Sequence, residues 1–320
     1  MRRLSLISIL ALSLFASAMA HAETTSALIG QAMDKQLPKT ETTFDGTLPQ
    51  AIQMFGDETG VPIVADDSVY EALPWGDLTT FHAVFKHQTL RQSLTAICQR
   101  LGLDYEIQDQ NIYLRPLPAL VRLGRRSTVE ELQELDFLSR APLDAKQSHL
   151  SASALLDLID SRLEKSAYTI QDRAFAPKNS PEINIARNST LADALNEIDA
   201  QTNATWYPWG KGIVVLKKSD QIRMQLSKRI TLRISNEDVT QVLLDLSQRT
   251  GVAFQIEPGA IQKIDPQYRT IRLSMENATG QQALESIAGF TGLGYRITDD
   301  GVSIFNALSP TAAATTQPNP

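Results

Sequence analysis

The chain has 320 residues, of which 42% are hydrophobic and 21% charged, so most of it has the composition of a folded protein. Its formal net charge of −6 has the wrong sign for a protein held by nucleic-acid phosphates, so we expect no nucleic-acid partner. A single cysteine excludes a disulfide framework and a zinc site built from several cysteines. At about 150 residues per domain, the length allows two domains or three small ones.

Residues 1–22 have the pattern of a secretory signal peptide. Arg2 and Arg3 precede an apolar run, and Ala20-His21-Ala22 forms a small-x-small cleavage site before Glu23. The run contains several serines and lacks the length and flanking charges of a stable membrane span. We predict cleavage after Ala22, which removes two arginines and no acidic residue and changes the net charge from −6 to −8. The product would be a periplasmic or otherwise exported protein with no membrane span.

A repeated helix-to-strand step organises the rest of the chain. Six short amphipathic helices each carry an apolar anchor, and intervals of 40 to 42 residues within pairs predict three modules of two helices. The anchors are Ile52, Leu94, Leu155, Leu195, Leu243 and Leu284. Eight residues after the anchor, four units have Gly and one has Asn, the residue types that close a helix in the left-handed conformation. The remaining unit, the third along the chain, has Leu163 there, and we expect its helix to run one turn longer.

Strands are predicted on both sides of each second helix. Alternating apolar and polar residues precede the helix, and a hairpin with turn residues rich in Gly, Asp and Gln follows it. We therefore predict an α+β fold of three tandem small modules, in each of which two helices pack on one small mixed β-sheet in a βαβ-βαβ-like order.

The ends of the repeats predict the domain boundaries. The middle module is the divergent one, and the residues after the third module are rich in Pro, Thr and Ala, which predicts a disordered tail. The predicted segments are a first module at 40–116, a structured helical linker at 117–142, a second module at 143–220, a third module at 221–307 and a tail at 308–320.

The linker contains a predicted helix and a small basic patch. Ser127 and Glu130 form a predicted capping box for a helix whose apolar residues lie at 129, 132, 135 and 138. Arg122, Arg125 and Arg126 lie beside this helix. They are a candidate site for an anion or an acidic partner, and solvated linker charge is the alternative.

Trp206, Tyr207 and Trp209 form the most aromatic cluster of the chain, in the first strand of the middle hairpin. Because side chains alternate along a strand, Tyr207 should face opposite to Trp206. One side of the hairpin then exposes an aromatic residue unless another part of the chain covers it. The cluster is either packing between modules or a contact with a ligand or partner.

The residues show no pattern of catalysis. His82, His87 and His149 lack the spacing of metal ligands, and the pairs Asp66-Asp67 and Asp299-Asp300 fall where turns favour Asp. No nucleophile elbow, phosphate-binding loop or dinucleotide-binding glycine pattern is present in the sequence. We predict no enzymatic activity, no catalytic or metal-binding residue and no cofactor.

Two stretches of the first module carry a family resemblance. Thr47-Leu48-Pro49-Gln50-Ala51-Ile52 leads to Gly60-Val61-Pro62-Ile63-Val64, and Thr89-Leu90-Arg91-Gln92-Ser93-Leu94 leads to Leu101-Gly102-Leu103-Asp104-Tyr105. This pattern resembles the secretin and TonB N-terminal short domain (STN domain), and the third module is similar over residues 239–252 and 282–295. The resemblance covers about residues 43–116 and 222–306.

The resemblance implies a class of activity. Domains of this family are periplasmic α+β modules at the front of outer-membrane secretins or receptors, where they dock onto inner-membrane, regulatory or cargo proteins and catalyse nothing. No barrel-forming region is recognisable here, so we expect a stand-alone, non-enzymatic interaction or scaffold protein, accessory to an envelope secretion, pilus or uptake assembly. Its expected partners are cell-envelope proteins, such as a secretin or an inner-membrane machine component. The alternative is a glycan- or peptidoglycan-binding module that uses the Trp206–Trp209 hairpin.

Overall fold

The computed structural model describes residues 27–37, 41–108, 110–176 and 180–307. The predicted signal peptide and the predicted disordered tail lie outside these ranges. Contacts within the chain divide it into two compact units, with the division after Arg140. None of the described helices is long and apolar enough to cross a membrane.

The first unit contains one module and two linker helices. Residues 27–33 form a short helix, α1, ahead of the module. The module consists of β1 (Glu41–Thr47), α2 (Leu48–Thr59), β2 (Ile63–Ala65), α3 (Asp67–Ala72), the 3-10 turn Gly76–Leu78, β3 (Thr80–Lys86), α4 (Leu90–Leu101), β4 (Leu103–Ile107) and β5 (Ile112–Pro116). The linker helices that follow are α5 (Pro118–Leu123) and α6 (Val129–Arg140).

The second unit contains two further modules and a helix between them. The first of these modules consists of β6 (His149–Ser151), α7 (Ala152–Leu163), β7 (Thr169–Asp172), β8 (Glu182–Asn184), α8 (Leu191–Gln201), β9 (Ala204–Pro208) and β10 (Gly212–Lys217). The helix is α9 (Lys218–Leu226). The last module consists of β11 (Arg229–Asp238), α10 (Val239–Thr250), β12 (Phe254–Ile256), the 3-10 turn Pro266–Tyr268, β13 (Thr270–Thr279), α11 (Gly280–Thr291), β14 (Leu293–Ile297) and β15 (Val302–Asn306).

The three modules share one topology. In each, the first and third strands form a two-stranded antiparallel sheet. The fifth strand is the centre of a three-stranded sheet, parallel to the second strand and antiparallel to the fourth. The predicted α+β fold of repeated modules is confirmed. The expectation of one sheet per module is wrong, because in the described residues the third strand pairs with the first and does not join the other three.

The predicted glycines end four of the six main helices. Gly60, Gly102, Gly251 and Gly292 each follow a helix of 12 residues, with φ between +64° and +73°. Glycine accepts this left-handed conformation without the steric cost of a Cβ atom. The Asn closure predicted for α8 does not occur, since its C-cap is Thr202, whose backbone is extended.

α7 has 12 residues and is not one turn longer than the others. In the other main helices the anchor lies five residues after the N-cap, and the N-cap of α7 is Ser151. The equivalent anchor is therefore Leu156, not Leu155, and eight residues after Leu156 is the C-cap, Glu164. Both leucines are buried, so the apolar pattern alone could not distinguish them.

The capping box of α6 lies one residue later than predicted. Thr128 N–H donates to Glu131 Oε2 (2.9 Å), and Glu131 N–H donates to Thr128 Oγ1 (3.3 Å). Ser127 has another role, because its hydroxyl donates to the carbonyl oxygen of Ala72 (2.8 Å) and ties the linker to the end of α3.

The linker helices pack on the C-terminus of α4. A Cβ atom at Gly102 would lie 2.7 Å from Leu120 Cδ1 of α5 and 2.9 Å from Leu135 Cδ1 of α6. Gly102 therefore closes α4 and also admits both linker helices. At Gly60, the equivalent residue of α2, no described atom lies within 4 Å of such a Cβ.

These two glycines give a matched test of that packing. Both have φ near +65°, so Ala at either position costs about 1 kcal/mol in backbone strain. Gly102→Ala adds a steric conflict with Leu120 and Leu135, and overpacking of this kind costs roughly 1–3 kcal/mol more. Hydrogen exchange of α4 amides as a function of urea measures the difference. Equal losses for Gly60→Ala and Gly102→Ala would contradict the packing described here.

Candidate binding sites

The aromatic cluster is split by the structure. Trp206 and Tyr207 are neighbours in β9, and both are buried. Trp206 Nε1–H donates to Asn196 Oδ1 of α8 (3.1 Å). Because neighbouring strand residues point to opposite faces, the burial of both rings means that both faces of β9 are covered.

α9 lies against this sheet. It contacts β9 and β10, and it also contacts α11 and β14 of the last module. The helix crosses the predicted module boundary at 220/221. Its sequence has only three apolar residues in nine, and two glutamines, Gln221 and Gln225, are buried with Ile222 and Leu226. The sequence therefore carried little signal for a buried helix here, and the boundary stays a prediction.

Trp209 is the aromatic residue of the cluster that reaches the surface. It follows β9 in the hairpin turn, and its side chain is 51% exposed. Its ring meets that of Tyr207 edge to face, with centroids 6.1 Å apart. Any ligand of the hairpin would therefore meet Trp209, with Tyr207 as the support of its ring.

The three arginines of the predicted basic patch have different surroundings. Arg125 donates two hydrogen bonds to the carboxylate of Glu131, to Oε1 (2.7 Å) and Oε2 (3.0 Å). The guanidinium of Arg126 lies over the backbone of Gly76, where a Cβ atom would be 3.2 Å from its nitrogens. Arg122 is partly exposed in the last turn of α5. Arg125 is thus committed to a buried carboxylate, so the three arginines do not form one solvated cluster.

Glu134 is a buried acid that the sequence did not single out. Its side chain is fully buried in α6, and neither carboxylate oxygen has a hydrogen-bond partner among the described residues. Burial, and then the negative charge of Glu131 one turn earlier, raise the pKa of Glu134 to about 8. The sequence carried no apolar signal for this burial, because the buried face of α6 combines Glu131 and Glu134 with three leucines at 132, 135 and 138.

The other chemistry-bearing residues lie apart. His82 faces Asp45 across the β1–β3 ladder, His149 lies exposed in β6, and His87 has a left-handed backbone at the end of β3. Cys98 is buried in α4, and burial raises the pKa of its thiol. In the described ranges no group of three or more His, Cys, Asp or Glu side chains has the geometry to hold a metal ion.

Comparison of the chain with protein-family models, with curated proteins and with solved structures found no match.

The two tryptophans of the hairpin should behave differently on substitution. Trp206→Ala removes a buried ring and its hydrogen bond to Asn196, so we expect a loss of about 3–5 kcal/mol in the free energy of unfolding. Trp209→Ala removes a half-exposed ring and one edge-to-face contact, and should cost about 1 kcal/mol or less. Urea denaturation followed by circular dichroism measures both. A large loss for Trp209→Ala would make this residue part of the core and remove it as a binding candidate.

The stability of the first unit should depend on pH through Glu134. The folded pKa, about 8, lies above the usual value of 4.5, so between these pH values the folded state binds more protons than the unfolded state. This contribution is fully present below pH 4.5 and is lost as the pH rises through 8. Glu134→Gln should remove this dependence and stabilise the protein at pH 8, by an amount on the order of a few kcal/mol.

Glu131→Gln is the matched control, since it changes the neighbouring buried carboxylate of the same helix. It weakens the pairing with Arg125 and should destabilise the protein at pH 7 by about 1–3 kcal/mol. Guanidinium denaturation of all three proteins between pH 5 and pH 9 makes the comparison. If Glu134→Gln is no more stable than the parent at pH 8, the charged form of Glu134 has a partner and the account given above is wrong.

Proposed function

We propose that this chain is a non-enzymatic scaffold protein of the periplasm, or of another exported compartment, that binds cell-envelope proteins. It would serve as an accessory to a secretion, pilus or uptake assembly, with a secretin or an inner-membrane machine component as partner. The resemblance to secretin and TonB N-terminal short domains supports the partner class, and the leader pattern of residues 1–22 supports the compartment.

Exposed apolar residues at equivalent places in two modules carry the proposal. Leu78 is 71% exposed and Tyr268 is 42% exposed. Each is the last residue of a 3-10 turn, and the third strand of its module begins two residues later. In both modules the N-cap of the second main helix lies nine residues after the start of that strand. Two modules of different sequence thus present a large apolar side chain at the same point of the fold.

Each of these residues has an apolar neighbour. Trp75 and Leu78, which we call the first patch, lie in the same turn and are both more than half exposed. Tyr268 and Phe290, the second patch, meet edge to face with ring centroids 5.6 Å apart. Aromatic residues are enriched at protein interfaces, and grouped exposed apolar side chains are typical of contact surfaces. The two patches therefore favour a protein partner.

Capture from an envelope fraction tests this function. The tagged protein would be cross-linked in envelope extracts, the captured protein purified, and its affinity measured by calorimetry. Leu78→Ser and Tyr268→Ser should each weaken binding about tenfold or more, because residues central to an interface contribute most of its energy. Leu28→Ser is the control, since Leu28 is comparably exposed but lies in α1. Equal affinities for the parent and both patch variants would contradict the proposal.

Glycan or peptidoglycan binding is the second candidate function. The observation in its favour is Trp209, a half-exposed indole ring held against Tyr207 at the end of a hairpin. An exposed aromatic ring of this kind offers a flat apolar face to a sugar. Co-sedimentation with purified peptidoglycan separates the two functions. Binding that is lost in Trp209→Ala and kept in Leu78→Ser would favour the glycan, and no sedimentation would exclude it.

A further inference from the structure

One edge of β13 is open. β13 pairs with β11 in a two-stranded sheet, and in the part of the chain that the structure describes no third strand joins them. An open edge presents a row of backbone N–H and C=O groups that can pair with another strand. The sheet lies wholly within the second unit.

β13 offers an extended edge for pairing ahead of Asn277. It has ten residues and contains neither proline nor lysine, two residues that commonly protect open edges. Its register with β11 is regular from Arg272 to Met275, whereas Glu276 and Asn277 have no opposing residue in β11, and Asn277 has a left-handed backbone with φ of +56°. β11 is interrupted by Asn236, which has no opposing residue and has a left-handed backbone with φ of +64°. Bulges of this kind bend an edge, so regular pairing is confined on β13 to the residues ahead of Asn277 and on β11 to the residues on either side of Asn236.

The side chains of β13 leave apolar surface beside the open edge. Arg272, Ser274 and Glu276 point to solvent and are exposed. Leu273 and Met275 point to the core, yet they remain only partly buried there. A further strand along this edge would cover more of both side chains.

We propose that a second copy of this chain binds here, with the two β13 strands antiparallel about a twofold axis at Ser274. Arg272 and Glu276 each lie two residues from Ser274. In this register Arg272 of each copy therefore faces Glu276 of the other, and Leu273 faces Met275. Directly opposed charges of opposite sign stabilise an antiparallel pair. The interface uses the same surface on both copies, as a closed dimer requires.

Both charged groups are available for this pairing. Arg272 has no ion pair or side-chain hydrogen bond with any described residue. Glu276 accepts one hydrogen bond, at Oε1 from Arg233 (2.8 Å), and its Oε2 has no partner in the described ranges. The Arg233–Glu276 pair is exposed, and exposed ion pairs contribute little stability, so Glu276 can accept a second arginine without loss to the fold.

β3 provides an internal comparison. The residues of β3 equivalent to Arg272, Ser274 and Glu276 are His82, Val84 and Lys86. Two β3 strands in the same register would place His82 opposite Lys86, which offers no attraction, and a lysine protects the edge. Phe85, equivalent to Met275, is fully covered within its own unit. The self-complementary pattern is therefore a property of β13.

Sedimentation velocity of the purified protein over a range of concentrations tests the dimer. The parent should dimerise. Ser274→Lys and Ser274→Glu each place two like charges against each other across the twofold axis, and each should raise the dissociation constant at least tenfold. An equimolar mixture of these variants should dimerise again, because Lys then faces Glu. Val84→Lys, at the equivalent position of β3, should leave the parent's association unchanged. Arg272→Glu, at another exposed position, should also weaken the dimer.

The outcomes decide the proposal. A parent that stays monomeric at its solubility limit would overturn it. So would dimers that survive in Ser274→Lys and Arg272→Glu, or a mixture of the two Ser274 variants that does not re-associate. Capture of a strand from another protein by a monomeric parent would assign this edge to a different occupant and equally overturn it. The test is independent of the envelope partner proposed above, because it uses the purified chain alone.

Discussion

Fixed helix length is the constraint on which the repeated architecture depends. Four of the six main helices have 12 residues and end at a left-handed glycine, and side-chain caps such as those of Thr89 and Thr279 fix where two of these begin. Twelve residues make about three turns, so the apolar face that each helix packs against its sheets has the same length. The glycine then redirects the chain within three residues into a strand, as after Gly60 and Gly102. The same sheet order can therefore recur in sequences that otherwise differ.

The parts of the fold that neighbouring residues determine could be predicted from the sequence. The pairing of strands that are far apart in the chain could not. Helix closures at glycine and the hairpins after each second helix are determined by neighbouring residues, so the sequence indicates them directly. The division of five strands into two sheets depends on partners far apart in the chain, and an alternating pattern such as that of β13 does not identify its partner. α9 was missed because Gln221 and Gln225 are buried there, whereas pattern reasoning expects apolar residues at buried positions.

The same distinction applies to the candidate sites. The alternation along β9 correctly implied that Trp206 and Tyr207 face opposite sides of the sheet, but alternation does not say what covers each side. The same holds for Arg125. The sequence shows its position in a basic cluster, but not its ion pair with Glu131, which depends on the burial of α6. Surface chemistry is where the modules differ. Leu78 and Tyr268, or Val84 and Ser274, occupy equivalent positions with different side chains, so a common frame presents distinct surfaces.

The contacts of α9 determine which segment of this protein could be duplicated or exchanged as one module. The repeat period suggests that a gene could gain or lose modules by duplication of the segment from one first strand to the next fifth strand. However, the sheet that contains Trp206 and Tyr207 contacts a helix that follows its last strand and also contacts the succeeding module. A copy cut at the repeat period would lose these contacts. Duplication or exchange preserves them only if the middle module is moved together with α9.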